Sequence, residues 1–205
     1  MDSIQDHDFR RPYKAIVIGG SAGSFQVISQ ILNKIPKDFS LPIIICCHRL
    51  KHIRSGFIEA LSIKSSKKVE EPEDKDGIKK GRIYLAPANY HMSVELGYTF
   101  SLTTEEVFNN SRPSIDYTLE SAAYVYRDKM IGILLTGANK DGALGMQMIK
   151  KKGGLTIVQD PLESLVDTMP KAAIKITKID YVLNVEQIIK FLIELNKYQN
   201  NEKVI

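Results

Sequence analysis

The 205-residue sequence contains no tryptophan, only two cysteines, and no apolar stretch that approaches the length of a membrane span. A spanning helix needs about 20 consecutive apolar residues, so no direct membrane insertion is expected. The polar N-terminus, MDSIQDHDFRRPYK, lacks the apolar segment of a secretion signal. The cysteines, Cys46 and Cys47, are neighbours in a predicted strand, where side chains point to opposite faces, which argues against a disulfide between them. Unpaired core thiols are typical of a reducing compartment, so we expect a cytoplasmic protein.

A strong excess of charge of either sign is also missing. The chain has 28 basic and 24 acidic residues, a net charge of +4, and its lysines are scattered apart from residues 150–152. A nucleic-acid-binding face needs clustered basic residues, so we expect no nucleic-acid partner. Four histidines and one cysteine pair give no convincing metal-ligand spacing. His7, His52 and His91 are interpreted as surface residues.

Short apolar runs alternate with segments whose apolar residues have helical spacing. Buried strands between helices predict an α/β fold, with a mostly parallel, doubly wound sheet and helices on both faces. Between residues 82 and 103 we expect antiparallel strands with a hairpin turn at Gly97. The predicted strands are 14–19, 42–47, 82–86, 91–96, 99–103, 130–137, 155–158 and 181–183, and the predicted helices are 22–34, 114–127, 142–151, 170–176 and 185–198, with one more beginning in SGFIEALS.

The length fits a single domain. We expect residues 1–13 to form a flexible lead, residues 14–198 the folded domain, and residues 199–205 a C-terminal tail. The charge-rich stretch 65–81 is interpreted as a loop or a weak strand.

Three chemically reactive side chains follow three of the predicted strands. Ser21 follows the first strand, His48 the second, and Asp141 the strand at 130–137. Because the carboxyl ends of parallel strands share one edge of the sheet, the three side chains are expected close together. A hydroxyl, an imidazole and a carboxylate form a nucleophilic triad, in which His48 removes the Ser21 proton and Asp141 orients the imidazole.

The glycines around Ser21 favour the same interpretation. Residues 19–23 match G-x-S-x-G, a strand-to-helix turn that exposes a nucleophilic serine. The candidate backbone donors to an oxyanion are the N–H groups of Ala22 and Ala138. The order Ser, His, Asp along the chain differs from the order Ser, Asp, His of the α/β-hydrolases, so an ordinary esterase fold is not expected.

Each of these residues also has a structural explanation. Ser21 alone fits a helix N-cap or a phosphate-binding turn, His48 fits a strand-end histidine, and Asp141 fits a helix N-cap. A nucleotide-binding domain is the weaker alternative, because Ile18 stands where the first glycine of G-x-G-x-x-G would be and the P-loop lysine is missing.

Six stretches of the sequence resemble the catalytic domain of CheB-type chemotaxis methylesterases. They occur in the order found in that family and cover about residues 14–195, so the resemblance is far more specific than G-x-S-x-G alone. The stretches are IVIGGSAGSFQVISQIL, IIICCHRL, GRIYLAPANYHMSV, RPSIDYTLESAA, GILLTGANKDGALGM and GGLTIVQDPLESLVDTMPKAAI.

The resemblance implies a protein-glutamate methylesterase that hydrolyses glutamate methyl esters on the cytoplasmic helices of chemoreceptors. It also implies deamidation of certain receptor glutamines, an activity that family members often have. By motif position, Ser21 is the nucleophile, His48 is the general base and then the general acid, and Asp141 is the orienting carboxylate. The implied acyl transfer needs no cofactor.

Two features depart from the family pattern. Ala22, Gly23 and Ser24 stand where the family usually has threonine and two glycines, and Ala138 stands where it usually has methionine. Family members also commonly carry an N-terminal receiver domain, for which the residues before the first strand leave no room. We therefore expect a stand-alone domain that is unregulated, controlled by a separate regulatory protein, or directed at another substrate. The alternative is a non-catalytic signalling or scaffold module with the same fold.

Overall fold

The computed structural model describes residues 6–49, 56–108 and 111–201. The strands are β1 (Ala15–Gly20), β2 (Ile43–Cys47), β3 (Val69–Glu70), β4 (Ile83–Leu85), β5 (His91–Val94), β6 (Phe100–Thr103), β7 (Met130–Leu134), β8 (Leu155–Gln159) and β9 (Tyr181–Leu183). The helices are α1 (Asp6–Phe9), α2 (Ser24–Lys34), α3 (Phe57–Lys64), α4 (Ile115–Tyr126), α5 (Ala143–Lys151), α6 (Thr168–Ile176) and α7 (Val185–Asn201), with a 3₁₀ turn at Arg127–Lys129. Within these ranges, none of the helices has the length and apolar character needed to cross a membrane.

Seven strands form one sheet in the order β3-β4-β2-β1-β7-β8-β9, and every neighbouring pair is parallel. The predicted α/β class with a mostly parallel, doubly wound sheet is confirmed. Strands β5 and β6 form a separate antiparallel hairpin. The central strands are buried along their whole length because helices cover both faces, which explains why they lack polar residues.

Two apolar layers pack on the two faces of the sheet. On one face, Ile16 and Ile18 of β1 pack with Ile28 of α2 and Phe191 of α7. Helix α3 covers this face as well. On the other face, Val17 belongs to the layer formed with α4, α5, α6 and the hairpin. Successive strand residues thus point to opposite layers, and the two unpaired cysteines follow the same rule.

The prediction for residues 82–86 was wrong. Strand β4 lies in the main sheet, parallel to β2, and all three of its residues are buried. The run Ile-Tyr-Leu carries large side chains on both faces, which is typical of an interior strand and not of an exposed hairpin. Among the strands in the described residues, β5 and β6 form the antiparallel pair, through a turn that contains Gly97.

The prediction that His91 lies on the surface was also wrong. It is 2% exposed at the start of β5, where its Nε2 atom lies 2.9 Å from the Glu106 carbonyl and its Nδ1 atom accepts the Ser114 N–H at 3.3 Å. These two bonds offset the cost of burying the ring. His52 and the side chain of His7 lie outside the described part of the chain.

Residues at the chain ends pack more closely than their polar sequence indicated. Phe9 of α1 is buried and stacks on Tyr198 of α7, with ring centroids 5.4 Å apart. Its ring also lies 5.2 Å from that of Phe191. Helix α7 runs past the predicted end at residue 198, and its rings at Phe191 and Tyr198 pack against Phe9 of α1.

The middle of the sheet brings three loops to one edge. Strand β1 pairs with β2 on one side and with β7 on the other, so the loops that follow these strands are neighbours. After β1 the chain adds β2 and β4 on one side of the sheet, and later adds β7, β8 and β9 on the other side. The boundary between β1 and β7 is therefore a topological switch point. Parallel α/β sheets bind their ligands at such points.

Candidate active site

The structure places Ser21, His48 and Asp141 within hydrogen-bonding distance of one another in series. The Nδ1 atom of His48 lies 3.1 Å from Ser21 Oγ, and the Nε2 atom lies 2.8 Å from Asp141 Oδ2. An ionised carboxylate only accepts hydrogen bonds, so Nε2 carries the proton and Nδ1 is left to accept the Ser21 O–H. The His48 side chain is 15% exposed, whereas the Asp141 side chain is fully buried.

Asp141 lies at the N-terminus of α4, which supplies most of its remaining hydrogen-bond donors. Its Oδ2 atom accepts the Ile115 N–H at 2.7 Å, and its Oδ1 atom accepts the Asp116 N–H at 3.0 Å. The Ser114 hydroxyl, which precedes the helix, donates to Oδ1 at 2.9 Å. Backbone donors and the positive end of the helix dipole both stabilise a negative charge here. Asp141 is thus held in one orientation in its ionised form.

A second buried carboxyl, Asp116, lies beside Asp141. It is 1% exposed, and its Oδ1 atom accepts the Gly145 N–H at 2.8 Å from the first turn of α5. Burial raises the pKa of Asp116 to about 7, and the negative charge of Asp141 acts in the same direction. Two carboxylates this close cannot both ionise without a large cost, so the charge of the pair belongs to Asp141.

The turn that carries Ser21 differs in detail from the predicted strand-to-helix turn. The Ser21 N–H donates to the Thr136 carbonyl at 2.9 Å, and the Ser21 carbonyl accepts from the backbone and the hydroxyl of Ser24. Among the described residues of this turn, positive φ belongs to Gly23, at 83°, and not to Ser21. Helix α2 begins at Ser24, two residues later than predicted, because Gly23 in the left-handed region ends the turn.

The backbone N–H groups of Ala22, which follows Ser21, and of Ala138, in the loop after β7, donate to no acceptor in the described part of the protein. Both residues are exposed to solvent. The neighbouring donors are occupied, because the Ser21 N–H binds the Thr136 carbonyl and the Gly137 N–H binds the Val166 carbonyl. Free N–H groups beside a nucleophile suit the stabilisation of an oxyanion.

Two polar side chains that the sequence reasoning missed also approach the base. The Ser111 hydroxyl and the Asn139 Nδ2 atom each lie 3.4 Å from His48 Nδ1. The Asn139 Oδ1 atom accepts the Asp141 N–H at 3.1 Å, which turns the amide nitrogen toward the imidazole. The position of Asn139 two residues before Asp141 is the turn signal that could have revealed it.

Thr136 is the third residue that was missed, and it connects Ser21 to the segment after β8. Its hydroxyl accepts the Val166 N–H at 2.9 Å and lies 3.0 Å from the Ala22 carbonyl. Its own N–H donates to the buried Gln159 side chain. A fully buried threonine at a strand end offered no sequence signal, because all these partners are distant in the chain.

Comparisons with known proteins identify a family that the chain resembles over most of its length. A family model described as CheB methylesterase matches residues 16–192. A Leptospira interrogans protein named putative protein-glutamate methylesterase/protein-glutamine glutaminase is 46% identical over 189 residues, which cover 92% of this chain and 97% of that protein. A Thermotoga maritima protein-glutamate methylesterase/protein-glutamine glutaminase is 35% identical over 89% of this chain and 54% of its own length.

The fold has a solved counterpart as well. The crystal structure of the Thermotoga maritima CheB methylesterase catalytic domain superposes with a TM-score of 0.84 at 35% sequence identity. The match covers 89% of this chain and 98% of that domain. The similarity therefore extends over most of this chain and nearly all of that domain.

Proposed function

Because this chain belongs to the CheB methylesterase family, we propose that it hydrolyses glutamate methyl esters on proteins through Ser21, His48 and Asp141. The observation that carries the proposal is the unbroken series of two hydrogen bonds from Ser21 Oγ through both ring nitrogens of His48 to Asp141. The catalytic unit in this proposal is residues 14–198.

In the first half of the reaction, Ser21 Oγ attacks the ester carbonyl carbon while His48 Nδ1 takes the hydroxyl proton. The positive charge that forms on the imidazole is stabilised by the buried Asp141 carboxylate, which stays ionised. The N–H groups of Ala22 and Ala138 bind the carbonyl oxygen as it becomes negative. When the C–O bond to the methoxy group breaks, His48 returns the proton, and methanol leaves.

In the second half, water attacks the acyl group on Ser21. His48 removes a proton from the water and then returns it to Ser21 Oγ, which releases the glutamate side chain. The same cycle deamidates a glutamine side chain when ammonia replaces methanol as the leaving group. Every step uses groups of this chain, and the protons balance in each half of the cycle.

We propose further that the substrates are the cytoplasmic helices of methylated chemoreceptors and that a separate regulatory protein controls access to Ser21. The substrate and the regulator are both proposals that go beyond the similarity to methylesterases. The place of action would then be the cytoplasm, which agrees with two buried, unpaired cysteines.

The proposal is tested by methanol release from a methylated receptor fragment. The parent should release methanol and Ser21→Ala should not. Ser29→Ala should match the parent, because Ser29 lies on α2 and its hydroxyl has no hydrogen-bond partner among the described residues. A fluorophosphonate probe should label the parent at Ser21. Equal methanol release by the parent and Ser21→Ala would refute the role of Ser21. No methanol release by the parent, with no label at Ser21, would instead support the non-catalytic signalling or scaffold module.

A further inference from the structure

The segment between β8 and α6 carries two large apolar side chains that face solvent beside the candidate active site. This segment, residues 160–167, has the sequence DPLESLVD and is called the leucine loop below. The side chains of Leu162 and Leu165 are among the most exposed apolar groups in the described part of the chain, at 93% and 76%. Neighbouring exposed apolar groups are typical of interaction sites, whereas single ones are common on any surface.

The leucine loop is held in one conformation by its own hydrogen bonds. Asp160 accepts the Leu162 N–H at 2.9 Å through its side chain and the Ser164 hydroxyl at 3.0 Å through its carbonyl. At the other end, the Val166 N–H donates to the Thr136 hydroxyl at 2.9 Å. The two leucines are therefore presented to solvent by an ordered backbone, so little entropy is lost when a partner covers them.

The leucine loop also contacts the turn that carries the nucleophile. A Cβ atom placed on Gly23 would lie only 2.8 Å from the Cβ atom of Leu165, so Leu165 packs directly against the Gly23 backbone. The Thr136 hydroxyl lies 3.0 Å from the Ala22 carbonyl and 3.1 Å from the Val166 carbonyl, which ties both segments to β7. Leu165 thus lies against the backbone of Gly23, two residues after Ser21 along this turn.

An apolar residue lies on the His48 side as well. The backbones of Phe108 and Ser111 bond to each other at 3.0 and 3.3 Å, and the Ser111 hydroxyl lies 3.4 Å from His48 Nδ1. The Phe108 ring is about half exposed. Exposed apolar residues thus lie near both members of the reacting pair, with Leu165 against the Ser21 turn and Phe108 bonded to the residue that approaches His48.

We infer that the leucine loop docks the protein segment that carries the esterified glutamate, by binding apolar side chains next to that glutamate. The inference rests on the proposed function, because a protein-borne ester must bring its own backbone across this edge. On a helical segment, the residues four positions before and after the esterified glutamate lie on its face of the helix, with Cβ atoms about 6 Å from its own. Leu162 and Leu165 would cover those residues.

The inference is tested with two helical peptides, each carrying one glutamate γ-methyl ester. One peptide has leucine four residues before and four residues after the ester, and the other has alanine at both positions. The parent should hydrolyse the leucine peptide with a kcat/KM about tenfold higher. Replacing both loop leucines, Leu162→Ser with Leu165→Ser, should remove this preference, chiefly through KM.

A matched control is Leu96→Ser, because Leu96 is 85% exposed on the turn between β5 and β6. The nearby Tyr98 contacts Lys14, which directly precedes β1, whereas Ser21 directly follows that strand. Leu96→Ser should leave the preference unchanged. Hydrolysis of p-nitrophenyl acetate and labelling of Ser21 by the phosphonate probe should be equal in the parent and Leu96→Ser. In the double variant, the ratio of the rates on the two peptides is compared, so any change in the reactivity of Ser21 cancels.

A parent that hydrolyses both peptides equally, or a double variant that keeps the preference, overturns the inference while leaving the proposed function intact. If the parent cleaves neither peptide, binding of labelled peptides to Ser21→Ala decides the matter independently of catalysis. Tighter binding of the leucine peptide, lost in the double variant, supports the docking surface. Equal binding overturns it and assigns the leucines to another partner, such as a regulatory protein or a second copy of this chain.

Discussion

Asp141 and Asp116 cap each other's helices: Asp141 accepts backbone N–H groups of α4, and Asp116 accepts a backbone N–H group of α5. Asp141, just before α5, accepts N–H groups of Ile115 and Asp116 in the first turn of α4. Asp116, in that first turn, accepts the Gly145 N–H in the first turn of α5. The two helices therefore hold each other and the carboxylate that faces His48. Such reciprocal capping stabilises both helix ends with side chains from outside each helix.

The first prediction concerns the pH dependence of stability. In the folded protein burial raises the pKa of Asp116 to about 7, whereas its ordinary value is 3.8. Between these values the folded state binds a proton that the unfolded state does not, so this group lowers the free energy of unfolding as pH rises, by about 1.4 kcal/mol per pH unit. Asp116→Asn does not titrate, and its amide oxygen can still accept the Gly145 N–H.

The stability of Asp116→Asn relative to the parent should therefore rise between about pH 4 and pH 7. Urea unfolding of both proteins at several pH values measures the difference, in which the other titrating groups cancel. A difference that stays flat over this range would show that Asp116 is ionised in the folded protein.

The second prediction separates catalysis from stability. Ser21→Ala removes a hydroxyl whose described side-chain partner is His48, so it should lower kcat by about 10⁴-fold or more and change the free energy of unfolding by less than about 1 kcal/mol. Asp141→Ala should also be nearly inactive, but it leaves the buried donors of Ser114, Ile115 and Asp116 without this acceptor.

We expect Asp141→Ala to cost roughly 2–4 kcal/mol of stability, because each unsatisfied buried group costs about 1–3 kcal/mol. Urea unfolding and methanol release on the same samples check both parts. The double variant should be no less active than Asp141→Ala or Ser21→Ala alone, since the triad acts as a unit. An Asp141→Ala protein as stable as Ser21→Ala would contradict the capping role.

The third prediction concerns the hydroxyl of Thr136. Thr136→Val keeps the shape of the side chain but leaves the Val166 N–H without its acceptor, which should cost about 1–3 kcal/mol. The leucine loop then loses one of its ties to the Ser21 turn, so kcat/KM on protein esters should fall more than kcat/KM on a small ester. Thr136→Ser restores the hydroxyl and should recover activity. If the serine variant behaves like the valine variant, packing of the methyl group matters and the hydrogen bond does not.

The fourth prediction concerns Gly23. Gly23→Ala must hold a left-handed φ of 83°, which costs about 1–2 kcal/mol, and its Cβ atom would overlap Leu165. We expect lower stability and a displaced leucine loop, measured as a loss of kcat/KM on the leucine peptide. Gly77→Ala is the matched control, because a Cβ atom there meets nothing within 4 Å. Equal behaviour of the two variants would contradict the close approach at Gly23.

Much of the fold could be predicted because strand and helix patterns are local. Apolar runs identified β1, β2, β7 and β8, and glycines marked where β1 and the run that contains β7 end. The predicted antiparallel pairing of residues 82–86 failed because three apolar residues do not specify which strand they pair with. The burial of His91 was missed for a similar reason, since the Glu106 and Ser114 backbones that bind it are only near it in three dimensions.

By itself the sequence determined that a hydroxyl, an imidazole and a carboxylate stand after three strands, because apolar periodicity and glycine turns depend on adjacent residues. Only the tertiary structure decided which ring nitrogen of His48 faces Ser21, and that Asp141 binds the start of α4. Those contacts depend on β1 pairing with β2 in one direction and β7 in the other, with a register that aligns Gly20 with Cys47 and Gly19 with Leu134. Such a register results from the packing of both helical layers together, which no short stretch of sequence contains.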